Sequence, residues 1–172
     1  YPDVVMYHLH VRGFTKQKNS GVRHKGTFAG LREKLPYLRE LGINQIRLMP
    51  VYDFAEMTPR LELKGVPKTQ KEAVARAAEQ LPEEEAWRMN YWGYGPGFYF
   101  APKSSYAASP DPDLELKQLI RTIHALGMEL ILEFPFTEDT DMLLILECLR
   151  YWVQEYHVDG FVLMTRSTVC EE

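Results

Sequence analysis

The sequence has little cysteine, no long apolar run and no excess of basic residues. Its two cysteines among 172 residues, Cys148 and Cys170, lie far apart and make no metal-type spacing. No apolar run approaches the roughly 18 residues of a membrane-spanning helix, and no signal-like segment opens the chain. A formal net charge of −4 differs from the basic surfaces that bind nucleic acid. We therefore expect a soluble, cytoplasmic protein that binds no nucleic acid, membrane or cofactor.

What the sequence does contain is typical of a folded α/β domain. Hydrophobic residues make up 45% of the chain and aromatic residues 12%. Runs rich in β-branched and aromatic residues predict four buried strands: Val4–Val11, Gln45–Val51, Glu129–Phe134 and Phe161–Met164. Apolar residues at helical spacing predict helices between them, from Phe28 with Thr27 as N-cap, from Pro112, and over Asp139–Tyr156. This alternation predicts a parallel sheet with the strands in the order 1-2-3-4.

We expect residues 1–172 to form one domain that carries a charged helical insertion at about 55–89. Lys68–Arg88 is charged and Ala-rich, with Ala73, Ala77 and Leu81 four residues apart. This spacing predicts a helix on the surface, with its charges on a solvated face rather than in a binding site. The insertion follows the second predicted strand. The chain opens on Tyr1 rather than Met, so an upstream segment is expected.

The stretch Asn90–Ala107, NYWGYGPGFYFAPKSSYA, combines glycines with dense aromatics. Glycines let the backbone turn and approach a ligand closely, and aromatic faces can cover the apolar face of a sugar ring. We therefore predict an exposed loop that binds a flat ligand, with Tyr91, Trp92 and Tyr94 as the candidate substrate-binding residues. The alternative, left open by the spacing alone, is that these aromatics only fill a core.

Three motifs carry a resemblance to a known family: YHLHVRGFT at residues 7–15, GTFAGL at residues 26–31, and the NYWGY start of the aromatic stretch. Together they resemble the debranching-type members of the alpha-amylase superfamily, such as isoamylases, type I pullulanases and glycogen debranching enzymes. The resemblance implies a (βα)8 TIM-type barrel. Such a barrel needs about 250 residues, so this chain corresponds to a partial barrel of strands one to four with their helices. It also implies that Tyr94 stacks on the glucose at the cleavage subsite of an α-glucan such as starch, glycogen or pullulan.

The same resemblance shows where the catalytic motifs depart. Relatives end the third strand with Asp-Val-Val-Phe-Asn-His, where this chain has the sequence EFPFTE at residues 133–138. Relatives end the fourth with Asp-Gly-Phe-Arg-Phe-Asp, and here Val162 replaces the Arg and Met164 replaces the nucleophilic Asp. A thioether cannot form the glycosyl-ester intermediate. The general acid of relatives lies on a fifth strand, beyond the residues of this chain. We therefore predict no catalytic residue.

Two other arrangements of polar residues suggest chemistry but are better explained without it. His8 and His10 lie two apart on one predicted strand, yet no third ligand is close in sequence, so no metal site is predicted. Glu133 and Glu138 remain as carboxylates near the third strand's end. Five residues apart and separated by Pro135, they are poorly placed to form a catalytic pair about 5.5 Å apart. A turn followed by an acidic helix start explains the nearby acids Asp139 and Asp141 without a cation.

The sequence thus favours a catalytically degenerate member of the debranching branch, with residual α-glucan binding or a supporting role. Two alternatives stay open: a fragment of an active α-1,6-glucan debranching hydrolase, and a scaffold or assembly protein that binds no sugar. An open half barrel leaves two unpaired strand edges. We therefore expect the chain to self-associate or to be completed by further polypeptide.

Overall fold

The computed structural model describes residues 3–59, 87–137 and 139–164. The chain divides into two compact units, one comprising residues 1–54 and 92–172 and the other residues 55–91. In chain order the elements are β1 (Met6–Leu9), α1 (Val11–Thr15), α2 (Phe28–Glu40), β2 (Gln45–Leu48), β3 (Tyr52–Phe54), β4 (Met57–Pro59), β5 (Trp87–Met89), β6 (Gly97–Pro102), a 3-10 turn (Ser104–Tyr106), α3 (Pro112–Ala125), β7 (Glu129–Phe134), α4 (Met142–Tyr156) and β8 (Gly160–Leu163).

The first unit is built on a four-stranded parallel sheet. Its strand order is β1-β2-β7-β8, which confirms the predicted order 1-2-3-4. The strands are in register, so that His8 pairs with Arg47, Arg47 with Ile131, and Glu133 with Val162. Because paired residues and residues two apart share a face, these five side chains lie on one side of the sheet. The other side is apolar and buried, and it packs with the helices into one core: Leu9, Ile46, Leu48, Leu130, Leu132 and Phe134.

The helices begin at side chains that accept hydrogen bonds from their first turns. Thr27 is the N-cap of α2, as predicted, and its hydroxyl accepts from Gly30 N at 3.2 Å. Asp111 caps α3 by accepting from Leu114 N at 2.9 Å, ahead of Pro112 at the first helical position. The predicted helix over Asp139–Tyr156 begins only at Met142, because the Asp141 side chain serves as N-cap.

Glu115 on α3 links two further backbone segments to this frame. Its side chain is buried, and its two oxygens accept hydrogen bonds from the backbone N–H groups of Ala29, Ala108 and Ser109 at 2.9 to 3.1 Å. Ala29 lies in the first turn of α2, where backbone N–H groups lack partners within the helix. One carboxylate therefore satisfies the start of α2 and the turn that precedes α3.

Three strand boundaries differ from the predicted ones. The first strand ends at Leu9 rather than Val11, because His10 becomes the N-cap of α1 and its Nδ1 accepts from Gly13 N at 2.9 Å. The second ends at Leu48 rather than Val51, two residues before Pro50, which has no N–H to donate to a neighbouring strand. The fourth comprises Gly160–Leu163 and so begins and ends one residue early.

The second unit is described only over residues 55–59 and 87–91. There β4 and β5 pair antiparallel, and Asn90 N donates to Glu56 O at 2.6 Å. Of the helix predicted over Lys68–Arg88, only Trp87 and Arg88 are described, and they belong to β5 rather than to a helix. The rest of that prediction lies outside the described residues. Of the helices that the structure describes, none is long and apolar enough to cross a membrane.

Candidate functional site

A cluster of polar side chains surrounds Glu133 at the end of β7. Glu133 is 1% exposed. Its Oε1 accepts a hydrogen bond from Arg47 Nε at 2.5 Å and lies 2.6 Å from His8 Nε2, and its Oε2 accepts from the Tyr94 hydroxyl at 2.5 Å. We call His8, Arg47, Tyr94 and Glu133 the Glu133 cluster. Both oxygens of the carboxylate are thereby bonded to side chains of the protein itself.

The loop that carries Tyr94 is bonded to β3 through the side chain of Tyr52. The Tyr52 hydroxyl donates to the carbonyl oxygen of Gly95 at 2.5 Å and lies 3.2 Å from that of Gly93. Gly93 has φ +83°, and a Cβ there would lie 2.5 Å from the Phe54 ring. Only glycine meets both conditions without strain or a clash. The loop therefore presents Tyr94 from a backbone that is fixed on both sides of that residue.

The phenol of Tyr94 is strongly perturbed. Burial raises its pKa above the ordinary value, and the hydrogen bond to the Glu133 carboxylate and that group's negative charge raise it further. The Arg47 guanidinium acts in the opposite direction and is the weakest of these influences. Tyr94 therefore remains a neutral hydrogen-bond donor throughout the physiological pH range, with its side chain still partly exposed at 38%.

Trp92 lies on the same loop as Tyr94, and its indole ring contacts the His10 ring. The indole is half exposed, and its ring centroid is 5.5 Å from that of His10 in an edge-on arrangement. His10 is itself buried: its Nδ1 accepts from Gly13 N, so its Nε2 carries the proton of the neutral ring and donates to the Tyr106 hydroxyl at 2.8 Å. His10 thus supports the aromatic loop and belongs to no metal site in the described residues.

The three predicted binding residues do not all lie in the same unit of the chain. Trp92 and Tyr94 lie in the first unit, on a loop at the carboxyl ends of the parallel strands. Tyr91 is half-buried and is the last residue of the second unit. The prediction of one exposed loop over Asn90–Ala107 is wrong in its second half, where β6 pairs antiparallel with β3. Phe98, Tyr99 and Phe100 are all aromatic in the sequence, so the alternation of a buried Tyr99 between exposed neighbours is visible only in the structure.

Val162 lies on β8, and Met164 directly follows it. By the resemblance, Val162 stands where an Arg would orient the nucleophile, and Met164 stands where the nucleophile would be. Val162 is the direct partner of Glu133 in the pairing of β7 with β8. Met164 follows β8, where its N–H donates to Phe134 O at 3.0 Å and its side chain is 43% exposed. Glu138 lies outside the described residues. In the part of the chain that is described, no group of three or more His, Cys, Asp or Glu side chains can hold a metal ion.

Arg47 and His8 are the site residues that the sequence analysis did not connect with Glu133. Arg47 is the one charged residue within the apolar run QIRLMPV. A guanidinium in a half-buried strand needs a carboxylate partner. With the strands in register, Glu133 lies in the neighbouring strand on the same face. This pairing could therefore have been anticipated once the strand order was predicted.

A parallel sheet whose strands alternate with helices is the arrangement from which α/β barrels are built. The family model described as "Alpha amylase, catalytic domain" matches residues 9–141. The chain therefore belongs to the alpha-amylase catalytic-domain family.

Individual relatives come from the debranching branch. The chain is 30% identical to isoamylase 3 of Oryza sativa subsp. japonica, with 98% of this chain and 26% of the relative covered. It is 29% identical to the pullulanase of Bacillus subtilis strain 168, with 92% of this chain and 26% of the relative covered. It resembles the crystal structure of Paenibacillus barengoltzii pullulanase with maltohexaose and α-cyclodextrin at 26% identity and a TM-score of 0.67. That match covers 93% of this chain and 30% of the pullulanase. The chain thus spans about a quarter of its curated relatives, which fits a partial barrel.

Proposed function

We propose that this chain is part of a debranching-type domain that binds α-glucan and does not hydrolyse it. The observation that carries the proposal is the state of Glu133. Its carboxylate is buried, accepts hydrogen bonds from Arg47 and Tyr94, and lies 2.6 Å from His8 Nε2. Burial leaves both oxygens of this carboxylate little access to a glycosidic carbon or to water, which either catalytic role requires.

The position of Met164 supports the same proposal. A retaining glycosidase needs two carboxyl groups about 5–5.5 Å apart on the two sides of the bond that breaks. Met164 occupies the position of the nucleophile by resemblance, and a thioether forms no glycosyl ester there. Val162, which pairs with Glu133, is apolar and cannot orient a nucleophile.

Glucan binding is supported by the aromatic loop. The Tyr94 and Trp92 side chains are both partly exposed, and both are supported from the protein side, by Glu133 and His10 respectively. Held aromatic rings lose little conformational freedom when a sugar stacks on them. Among the solved structures that resemble this chain, the pullulanase of Paenibacillus barengoltzii was crystallised with maltohexaose.

A pair of measurements tests the proposal. Pullulan, amylopectin and glycogen are incubated with the protein, and reducing ends are measured beside a Glu133→Gln, Glu138→Gln double variant. We expect neither protein to release sugar above background. Release by the wild type that the double variant abolishes would overturn the proposal and indicate relocated carboxylates.

The second measurement is titration calorimetry with maltoheptaose. We expect weak binding by the wild type, and Tyr94→Ala should lose on the order of 1 kcal/mol, because one stacked ring contributes about that much. Tyr37→Ala is the matched control, since Tyr37 is an exposed tyrosine on α2. No heat from the wild type would remove the glucan-binding role and favour a scaffold that binds no sugar.

The second candidate is that the chain is a part of an active α-1,6-glucan hydrolase and contributes to its activity. The observation in its favour is the coverage, because the chain corresponds to about a quarter of relatives that are named as isoamylases and pullulanases. The same assay performed on the chain extended through the remaining barrel strands separates the two candidates. Met164 opposes hydrolysis in either form, since further strands add no carboxylate at that position.

A further inference from the structure

We infer that Arg47 and His8 are positioning residues for the Tyr94 ring, acting through the carboxylate of Glu133. The inference deepens the proposed function and rests on it, because it assigns to two strand residues the orientation of the ring that would meet the glucan. Arg47 and His8 themselves contact Glu133 rather than the exposed face of Tyr94.

The first step of the argument is the direction of each hydrogen bond. Arg47 Nε donates to Oε1 of Glu133, and His8 Nε2 lies 2.6 Å from the same oxygen, so this oxygen is contacted from the side of β2 and β1. Fixing one oxygen of a planar carboxylate leaves the other, Oε2, in a defined place. Oε2 is the acceptor for the Tyr94 hydroxyl at 2.5 Å. The far end of the tyrosine ring is thereby held at a point that Arg47 and His8 determine.

The second step is that β8, the strand on the other side of Glu133, supplies no hydrogen-bond donor that could replace Arg47. Its partner on β8 is Val162, whose side chain has no donor. Oε1 therefore depends on donors from β1 and β2 among the contacts described. If Arg47 is lost, a buried carboxylate keeps a weaker set of donors and must turn toward solvent or recruit another group.

The third step separates this role from a general contribution to folding. The loop backbone on both sides of Tyr94 is held by Tyr52, which contacts no member of the Glu133 cluster through its hydroxyl. Loss of Arg47 should therefore leave the loop in place and release only the ring. A structural role would instead disturb the whole sheet, because Arg47 lies between β1 and β7.

A double-mutant cycle of maltoheptaose affinities tests the coupling. The four proteins are wild type, Arg47→Gln, Tyr94→Ala and the double variant, with Lys117→Gln as control because Lys117 forms an exposed ion pair elsewhere with Glu155. We expect Arg47→Gln to weaken binding by up to about fivefold, the loss from one stacked ring, and to add nothing once Tyr94 is alanine. Equal losses from Arg47→Gln in both backgrounds, or no loss at all, would overturn the inference.

A second readout needs no glucan. The ionisation of Tyr94 is followed by NMR of ring-labelled tyrosine at about pH 10.5 to 11, with Tyr94→Phe to assign the signal. If Arg47 acted only through its charge, its removal would raise the pKa of Tyr94, because the guanidinium lowers it. If Arg47 positions the ring, its removal separates Tyr94 from Glu133, and the pKa falls toward the ordinary value of 10.0.

At about pH 10.5 to 11 the raised pKa keeps Tyr94 protonated in the wild type, so an ionised Tyr94 in Arg47→Gln would report a fall in its pKa. A fall in the pKa of Tyr94 supports the positioning role, and a rise or no change overturns it. If the wild type binds no maltoheptaose, the proposed glucan binding fails, while the titration still decides whether Arg47 positions Tyr94.

Discussion

At the scale of the single residue, burial determines which polar side chains can react. Glu133 is buried among its own hydrogen-bond donors, and Cys148 is buried in the hydrophobic core. Cys148 lies on α4 and is fully buried. Its Sγ lies 3.5 Å from Tyr99 O, the same oxygen that accepts from Trp152 Nε1 at 2.7 Å. Burial raises the pKa of this thiol to about 12.

This shift predicts an inert thiol in the folded protein. In a Cys170→Ser background at about pH 8, we expect alkylation of Cys148 to be slower than that of a free thiol by on the order of 1,000-fold, since only the thiolate reacts. Mass spectrometry after iodoacetamide treatment measures it, and unfolding in guanidinium should restore the ordinary rate. Rapid alkylation of the folded protein would contradict the burial.

The same shift has a consequence for stability at high pH. The folded-state pKa of Cys148 lies above the ordinary value of 9.0, so folding favours the protonated thiol. The associated stability is fully present below about pH 9 and is lost as the pH rises toward about 12. Cys148→Ala should flatten this part of the curve of unfolding free energy against pH.

At the scale of the structural element, the loop before β6 depends on the glycine at its bend. Gly93 and Gly42 both have φ +83°, but a Cβ at Gly42 would meet nothing within 4 Å, while one at Gly93 would meet the Phe54 ring at 2.5 Å. The two positions therefore separate the cost of the left-handed backbone from the cost of the clash.

We expect Gly42→Ala to lower the free energy of unfolding by about 1 kcal/mol, the cost of the backbone conformation alone. Gly93→Ala should lower it by at least another ~1 kcal/mol and should weaken maltoheptaose binding, because the Phe54 ring must move and the loop with it. Urea unfolding and calorimetry measure the two effects. Similar losses of stability in both variants would mean that the contact with Phe54 is easily relieved.

The strands and helices of the parallel sheet were predicted well from the sequence, but the short antiparallel pair of β3 with β6 was not. Strand order, the N-cap at Thr27 and the strand Glu129–Phe134 follow from apolar periodicity, which reports burial directly. The antiparallel pair of β3 with β6 was missed because its strands are short and separated by 42 residues of sequence between Phe54 and Gly97. Short pairings of that kind depend on tertiary contacts that local patterns do not contain.

The candidate site was predicted only in part, because some of its contacts depend on residues that are far apart in sequence. Aromatic residues beside glycines indicated the loop and hence Trp92 and Tyr94. The partners of Glu133 come from strands 86 and 125 residues away in sequence, and only the register of the sheet brings them together. Whether Tyr91, Trp92 and Tyr94 bind glucan stays a prediction.

At the scale of the whole molecule, β1 and β8 form the two edges of the described parallel sheet. Apolar side chains are exposed at both, with Met6 42% and Leu163 43% accessible. Unpaired strand edges of this kind associate with other polypeptide unless charged residues prevent it. The chain is expected to use them in this way.

We therefore expect the isolated chain to self-associate in a concentration-dependent manner in light scattering. The Met6→Lys, Leu163→Lys double variant should shift it toward the monomer, because lysine at a strand edge opposes pairing. Val153→Lys is the matched control, as Val153 is equally exposed but lies on α4. A monodisperse wild-type monomer at all concentrations would contradict the prediction.

The second unit leaves and rejoins the chain at neighbouring points, since Glu56 and Asn90 are joined by a backbone hydrogen bond and β4 pairs with β5. A segment whose two ends already lie side by side can change in length without pulling on the sheet. Doubling the length of a flexible connecting segment costs only about 0.6 kcal/mol in closure entropy. The stretch between β4 and β5 is therefore a natural insertion point, where a protein engineer could exchange residues 60–86 for a reporter or an affinity module while the parallel sheet keeps its register.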